Sequence, residues 1–221
     1  MTGLSWRERL SALSSLGDDN RRRLYEYVCS VGAATGRDDA AAALGMPRST
    51  ASFHLDRMVR DGLLGVEFRK PAGKGGPGSG RPAKLYVPLF AEIGVSVPER
   101  NYDLAGAVLA SAVNSVMRDG GAAREALLRT ARAKGTEAGA GGRDFLDVLA
   151  GQGYQPEADD DGGHALLNCP FRKLSRSYPE VVCAMNGAFL AGMADACGID
   201  SRRIAGDERP GHCCARILPD E

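Results

Sequence analysis

The stretch M-P-R-S-T-A-S-F-H-L-D-R-M-V-R-D-G-L-L, residues 46–64, sets the reading of the first half of the chain. Pro47 suits the opening position of a helix, because its missing N–H is one that a helix start leaves unpaired anyway. A helix over 47–60 follows, closed by Gly62 as the residue just past its end. On this helix Phe53, Leu55, Met58 and Val59 are expected to pack inward, leaving Arg48, Ser49, Ser52, His54 and Arg57 on polar faces. Immediately upstream, an alanine-rich segment at 38–44 with Asp38 or Asp39 at its start reads as a short helix. Gly45-Met46-Pro47 makes the turn between the two. Further upstream, D-D-N-R-R-R-L-Y-E-Y-V-C-S at 18–30 reads as a capped helix with Leu24, Tyr27 and Val28 as its apolar stripe, ending in a loop around Gly32–Gly36.

Downstream, Leu63–Lys70 alternates like a strand, P-A-G-K-G-G-P-G-S-G at 71–80 is a loop, and K-L-Y-V-P at 84–88 returns as a second strand. The hairpin carries Arg69, Lys70, Lys74, Arg81 and Lys84. Residues 89–101 form a junction. Beyond it the pattern predicts helices at about 102–118, 121–134, 143–150 and 179–196, with a glycine- and alanine-rich break at 135–142. Strands are expected near 164–167 and 213–218. The expected fold is α+β: an N-terminal winged helix-turn-helix over 1–90, joined to a C-terminal α/β cysteine-bearing domain over 91–221.

Charge divides along the same line. Residues 1–90 carry 14 Lys and Arg against 9 Asp and Glu, whereas 91–221 carry 14 against 19, so a net charge of zero hides a basic half and an acidic half. That asymmetry suits a nucleic-acid reader fused to a module that does not bind nucleic acid. Residues 1–16 lack the apolar core of a secretory signal, and no run approaches the roughly 20 apolar residues of a spanning helix, so a cytoplasmic protein is expected. In a reducing compartment six cysteines point to metal or redox chemistry rather than disulfides.

Three helices followed by a basic hairpin make a coherent double-stranded DNA reader. The 47–60 helix would lie in the major groove and the hairpin along the backbone or minor groove. The candidate DNA-facing residues are Arg48, Ser49, Thr50, Ser52, His54 and Arg57 on the helix, with Arg69, Lys70, Lys74, Arg81 and Lys84 on the hairpin. No nucleophile–base pair or dinucleotide fingerprint is present. G-K-G-G-P-G-S-G lacks the G-K-[ST] ending of a phosphate loop and sits between strands, so no enzyme is expected.

Five of the six cysteines, Cys169, Cys183, Cys197, Cys213 and Cys214, lie in the last 53 residues, while Cys29 on the first full helix reads as a packed small residue. Thiolates are the soft ligands of iron–sulfur clusters, copper(I) and zinc. Cys169 precedes a proline at a strand exit, and Cys183 falls near the first turn of a helix. Cys213 and Cys214 either open the last strand, with side chains on opposite faces, or sit together in a loop before it. A continuous helix from 183 to 197 would separate those two cysteines by about 21 Å, which argues against Cys197 as a co-ligand. The favoured set is Cys169, Cys183 and Cys213, with Cys214 close behind Cys213. The fourth position is the remaining cysteine, His212 or His164, or is open to solvent or a small ligand, and Cys197 is a weaker candidate.

N-R-R-R-L-Y-E-Y-V, M-P-R-S-T-A-S-F-H-L-D-R-M-V-R-D-G-L-L and G-R-P-A-K-L-Y resemble bacterial regulators of the ArsR/DeoR-like class. Taken with N-C-P-F at 168–171, V-C-x-x-N at 182–186 and G-H-C-C at 211–214, the chain is similar to SufR-type regulators of iron–sulfur cluster biogenesis. The resemblance implies a homodimer on an operator of two half-sites and a bound iron–sulfur cluster of [4Fe-4S] type. It also implies repression that changes when the cluster is lost. The alternatives are a [2Fe-2S] cluster, a zinc- or thiol-based redox regulator, and a metal-free regulator that senses a small ligand. The helices at 102–134 are the expected dimer surface.

Overall fold

The computed structural model describes residues 4–69 and 82–220. The chain divides into two compact units, Met1–Val95 and Ser96–Glu221.

In the first unit, α1 (Trp6–Ser15) opens with a capping box in which Ser5 and Glu8 satisfy each other's backbone amides. The helix α2 (Asp19–Val31) is capped by the Asp18 side chain, which accepts from the Arg21 amide. A two-residue strand β1 (Thr35–Gly36) lies where a loop was expected. Then α3 (Arg37–Leu44), a turn at Gly45, and α4 (Arg48–Arg60) follow in quick succession. Strands β2 (Leu64–Arg69) and β3 (Ala83–Pro88) pair antiparallel, with Val66 opposite Tyr86, and β1 joins the far edge of β3. Leu24, Val28, Ala40, Ala51, Leu55, Met58, Leu63, Leu64 and Tyr86 form one core.

A polar tie fastens α4 to the sheet. Asp56 accepts from Lys84 Nζ at 2.5 Å and from the Tyr86 hydroxyl at 2.7 Å, and the Tyr86 ring is fully buried. Burial opposes ionisation of Asp56, but the hydrogen bonds from Lys84 and Tyr86 outweigh it and hold the carboxyl below its ordinary range. Asp56→Ala leaves the phenol donor without its acceptor, at a cost of about 1–3 kcal/mol. Urea unfolding followed through Trp6, the chain's single tryptophan, reads that loss. The sign with pH is set by the lowered carboxyl. The wild-type advantage is complete above about pH 4 and fades as pH falls through the depressed value. An unchanged urea midpoint in the variant would refute the tie.

The second unit is mostly helical: α5 (Tyr102–Asp119), α6 (Ala123–Gly139), α7 (Phe145–Gly151), α8 (Arg172–Ser177) and α9 (Pro179–Ala196). Four three-residue strands, β4 (Pro156–Ala158), β5 (His164–Leu166), β6 (Ile204–Gly206) and β7 (Ala215–Ile217), form a sheet in the order β4-β5-β7-β6. Every pairing is antiparallel. This corrects the α/β expectation for the unit, since hairpin-like antiparallel pairing needs no crossover helix between neighbouring strands. The fold is mixed α+β throughout, with two small antiparallel sheets.

The expected break at 135–142 is also corrected, because α6 runs on to Gly139. Its glycines serve helix packing. A Cβ on Gly135 would stand 1.9 Å from the Phe189 carbonyl oxygen, and one on Gly192 would stand 2.1 Å from that of Arg132. The backbones of α6 and α9 therefore touch directly, with Ala131, Phe189, Leu190 and Met193 buried around the crossing. This close crossing fixes α9, the helix that carries Cys183. Among the described residues, no helix is long and apolar enough to cross a membrane.

Candidate functional site

Three separate elements bring four cysteines to one place. Cys169 lies in the loop after β5, anchored by the buried Phe171 beside it and by Asn168. The Asn168 amide donates to the Gly153 and Glu99 carbonyls at 2.6 and 2.9 Å. Cys183 is on α9. Cys213 and Cys214 sit in the loop before β7, which starts at Ala215, so the loop alternative holds and both thiols face the same region. The Cys213 amide donates to the Leu166 carbonyl at 2.8 Å, tying this loop to β5. Arg172 braces it from outside by donating to the Gly211 and His212 carbonyls.

The thiols interact in sequence: Cys169 with Cys213, Cys213 with Cys214, and Cys214 with Cys183. Asn186, one turn beyond Cys183 on the same face of α9, donates its side-chain amide to Cys213 Sγ at 3.3 Å and to Cys214 Sγ at 3.6 Å. The Tyr154 hydroxyl in turn donates to Asn186 Oδ1 at 2.5 Å, which orients that amide toward the sulfurs. Complete burial raises the Tyr154 phenol far above its ordinary range, so it remains a donor.

These contacts divide the thiols into two kinds. A hydrogen bond from Cys213 lowers Cys169 to about 7 against the opposing effect of burial. Cys214 falls to about 6, held first by Cys213 and then, against burial, by Cys183 and Asn186. Cys213, which serves both neighbours, keeps its proton and is driven strongly upward. Burial, and then the neighbouring Cys214, push Cys183 up to about 12. Cys183 is the fifth residue of α9, after Pro179 at its start. Its thiol gains little from the helix start, since that effect fades within the first turn.

A cavity of about 200 Å³ opens on the group, lined by Cys169, Cys183, Cys214, Arg172, Arg176 and His212. On the other side of Cys183 and Cys214 lies a second hollow of about 270 Å³, walled by Gly187, Ala191, Ala205 and other small residues. His212 Nδ1 is buried without a hydrogen-bond partner, 3.6 Å from Asp207. His164 is a β5 residue in register with Ala158 and Ile217, and it does not line either hollow. Cys197 caps the far end of α9 and points to the Gly139 carbonyl at 3.5 Å, apart from the other four. Cys29 is exposed, contrary to the packed position expected, because it falls outside the Leu24–Val28 stripe. Among the described residues, no group of three or more His, Cys, Asp or Glu side chains is disposed to hold a metal ion. The four thiols contact one another instead.

The second candidate surface is the outer face of α4. Ala51, His54, Leu55 and Met58 are its buried residues, and Phe53 is 61% exposed. This reverses the expectation for Phe53 and His54. His54 is inside the core, with Nδ1 3.8 Å from Asp18, and is withdrawn from the outward set. Ser49, Arg57 and Arg60 are exposed, Thr50 and Ser52 half-buried. Arg48 pairs with Asp38, Arg57 with Asp61, Arg69 with Glu67, and Lys84 with Asp56. Lys70, Lys74 and Arg81 lie outside the described residues.

Sequence reasoning missed Asn186, Tyr154 and Arg172 at the cysteine site. Asn186 had a visible signal in its i+3 spacing from Cys183, which places both on one helix face. Tyr154 and Arg172 had none. No protein-family model, curated protein or solved structure matches the chain.

Proposed function

We propose that this protein is a DNA-binding transcriptional regulator, a repressor, whose operator binding responds to an iron–sulfur cluster held by Cys169, Cys183, Cys213 and Cys214. The observation that carries the reading is the convergence of four thiols, from residues up to 45 positions apart, beside a hollow lined also by Arg172, Arg176, Arg209, Asp207 and Glu208. The donor set fits, since it is all soft sulfur, with Cys169 and Cys214 already inclined to the thiolate form that ligation needs. The thiols touch, so taking up a cluster requires them to part. When bound, a cluster supplies an oxidant-sensitive link between α9 and the two cysteine loops. The chain's own part is to position that link. Asn186 steers the Cys213 and Cys214 sulfurs, Tyr154 holds Asn186, and Arg172 braces the 211–212 backbone.

The DNA-binding part of the reading rests on α3 and α4 joined by a short turn, with the β2–β3 hairpin following and α4 presenting Ser49, Phe53, Arg57 and Arg60 outward. These features support the winged helix-turn-helix reading. The internal pairs of Arg48, Arg57 and Arg69 are exposed ion pairs of small worth, about 0–1 kcal/mol each, so phosphates can compete for these guanidiniums. A homodimer is proposed from the groove between α5, α6 and α9. Val113 and Val181 are exposed there, and Arg124 and Glu180 line it beside Leu109, Ala112 and Leu127.

Anaerobic purification with iron and acid-labile sulfide analysis is the direct test, alongside DNA binding by holo- and metal-free protein. Equal iron and sulfide, visible absorption, and a difference in DNA affinity between the two forms are expected. One zinc per chain without colour would sink the cluster. The contacts between thiols favour a thiol-based redox regulator as the second reading, which predicts DNA affinity changing with disulfide formation in metal-free protein.

A further inference from the structure

We propose that Phe53 reads thymine, its ring meeting the C5-methyl group of a thymine in the major groove. The proposal rests on the DNA-binding reading above and adds a base preference to it. The starting point is the phase of α4. With Ala51, His54, Leu55 and Met58 inside, the outermost line of the helix runs through Ser49, Phe53, Asp56 and Arg60, and Asp56 on that line is engaged by Lys84 and Tyr86.

Single exposed apolar side chains are ordinary on protein surfaces. This one differs in its setting. Its ring lies edge-on to the buried imidazole of the neighbouring His54, with centroids 5.2 Å apart. Beside it lies a cleft of about 240 Å³ whose other walls are polar, with Ser11, Ser14, Arg21 and Arg57 and the Asp61 carboxylate that pairs with Arg57. One apolar ring among hydroxyls, two guanidiniums and a single carboxylate already paired with Arg57 does not match an apolar protein surface. It matches a ligand that is anionic along one edge and carries isolated methyl groups, which is how a DNA strand presents phosphates and thymine. In the major groove the C5-methyl is the one apolar mark that separates thymine from the other bases, and phenylalanine is among the side chains that contact it.

The test uses the full chain, purified anaerobically and in parallel stripped of metal. Binding sequences are enriched from a randomised 30-base-pair duplex pool. Each thymine of the enriched duplex is then replaced in turn by deoxyuridine, which lacks only the methyl group. Wild-type protein is expected to lose about fourfold in affinity at one thymine per half-site, the worth of burying one methyl-sized group. In Phe53→Ala the thymine and deoxyuridine duplexes bind equally, and Phe53→Leu keeps part of the difference. The proposal fails if Phe53→Ala retains the full thymine preference, or if no thymine is sensitive to loss of its methyl. It also fails if Phe53→Ala converts a dimer into a monomer in solution, because the ring then serves a second copy of the chain. No enrichment and no salt-dependent binding of any duplex overturns the DNA-binding reading itself, a result distinct from enrichment without methyl sensitivity.

Discussion

Gly135→Ala is expected to destabilise the second unit by about 3 kcal/mol or more, at the upper end of what overpacking costs. In an open helix the same substitution stabilises by about 0.5–1 kcal/mol, because glycine loses more backbone entropy than alanine on folding. The sign reverses here because a Cβ at 135 would stand 1.9 Å from the Phe189 carbonyl oxygen and 2.9 Å from the Met193 nitrogen. Backbone atoms cannot swing aside as a flexible side chain can. The two helices must separate by more than an ångström, and Ala131, Leu190 and Met193 lose contacts along the crossing. Gly106 on α5 is the control, since a Cβ there meets nothing within 4 Å, and Gly106→Ala is expected to stabilise slightly. Calorimetry of both variants checks the pair. Equal shifts of the same sign would show that α6 and α9 are not in backbone contact. The effect should reach the cysteine site as well, because α9 carries both Cys183 and Asn186.

The second large effect concerns the cysteines individually. After anaerobic reconstitution, Cys169→Ala, Cys183→Ala and Cys213→Ala are expected to retain little iron and sulfide, whereas Cys29→Ala and Cys197→Ala match wild type. The distinction is geometric. Cys197 is separated from Cys183 by fourteen residues of unbroken α9, about 21 Å along the axis, and a single cluster cannot span that. Cys29 belongs to the other compact unit. Asn186→Leu keeps all four thiols but removes the amide that orients two of them. It is expected to weaken cluster binding by about 10–100-fold, the usual cost of losing a group that positions metal ligands. Loss of iron in Cys197→Ala with retention in Cys213→Ala would overturn the proposed ligand set. Retention in all single variants would favour adventitious iron.

Helix phase illustrates where the sequence was legible and where it misled. The existence and limits of α4 follow from Pro47, the apolar spacing and Gly62. Its rotation was misjudged because Phe53 is more apolar than His54 and was given the inner place on composition. The stricter criterion was spacing. Ala51, Leu55 and Met58 already mark a face at i, i+4 and i+7, and position 54 falls within it while 53 does not. The tie between Asp56, Lys84 and Tyr86 was invisible for another reason, since it joins residues about 30 positions apart whose pairing depends on strand register.

What the amino-acid sequence determined by itself was local: the α2 cap, the turns, the β2–β3 hairpin, and the weak standing of Cys197 should the helix from 183 be continuous. These depend on interactions within a few residues, where backbone geometry leaves few choices. Tertiary structure alone decided that Gly135 and Gly192 are contact points rather than helix breakers. It also decided that the 213–214 loop lies against α9, and that Asn186 and Tyr154 stand behind the sulfurs. Those outcomes depend on how close two backbones come and on which loops are pinned together. One-dimensional spacing carries no such distance.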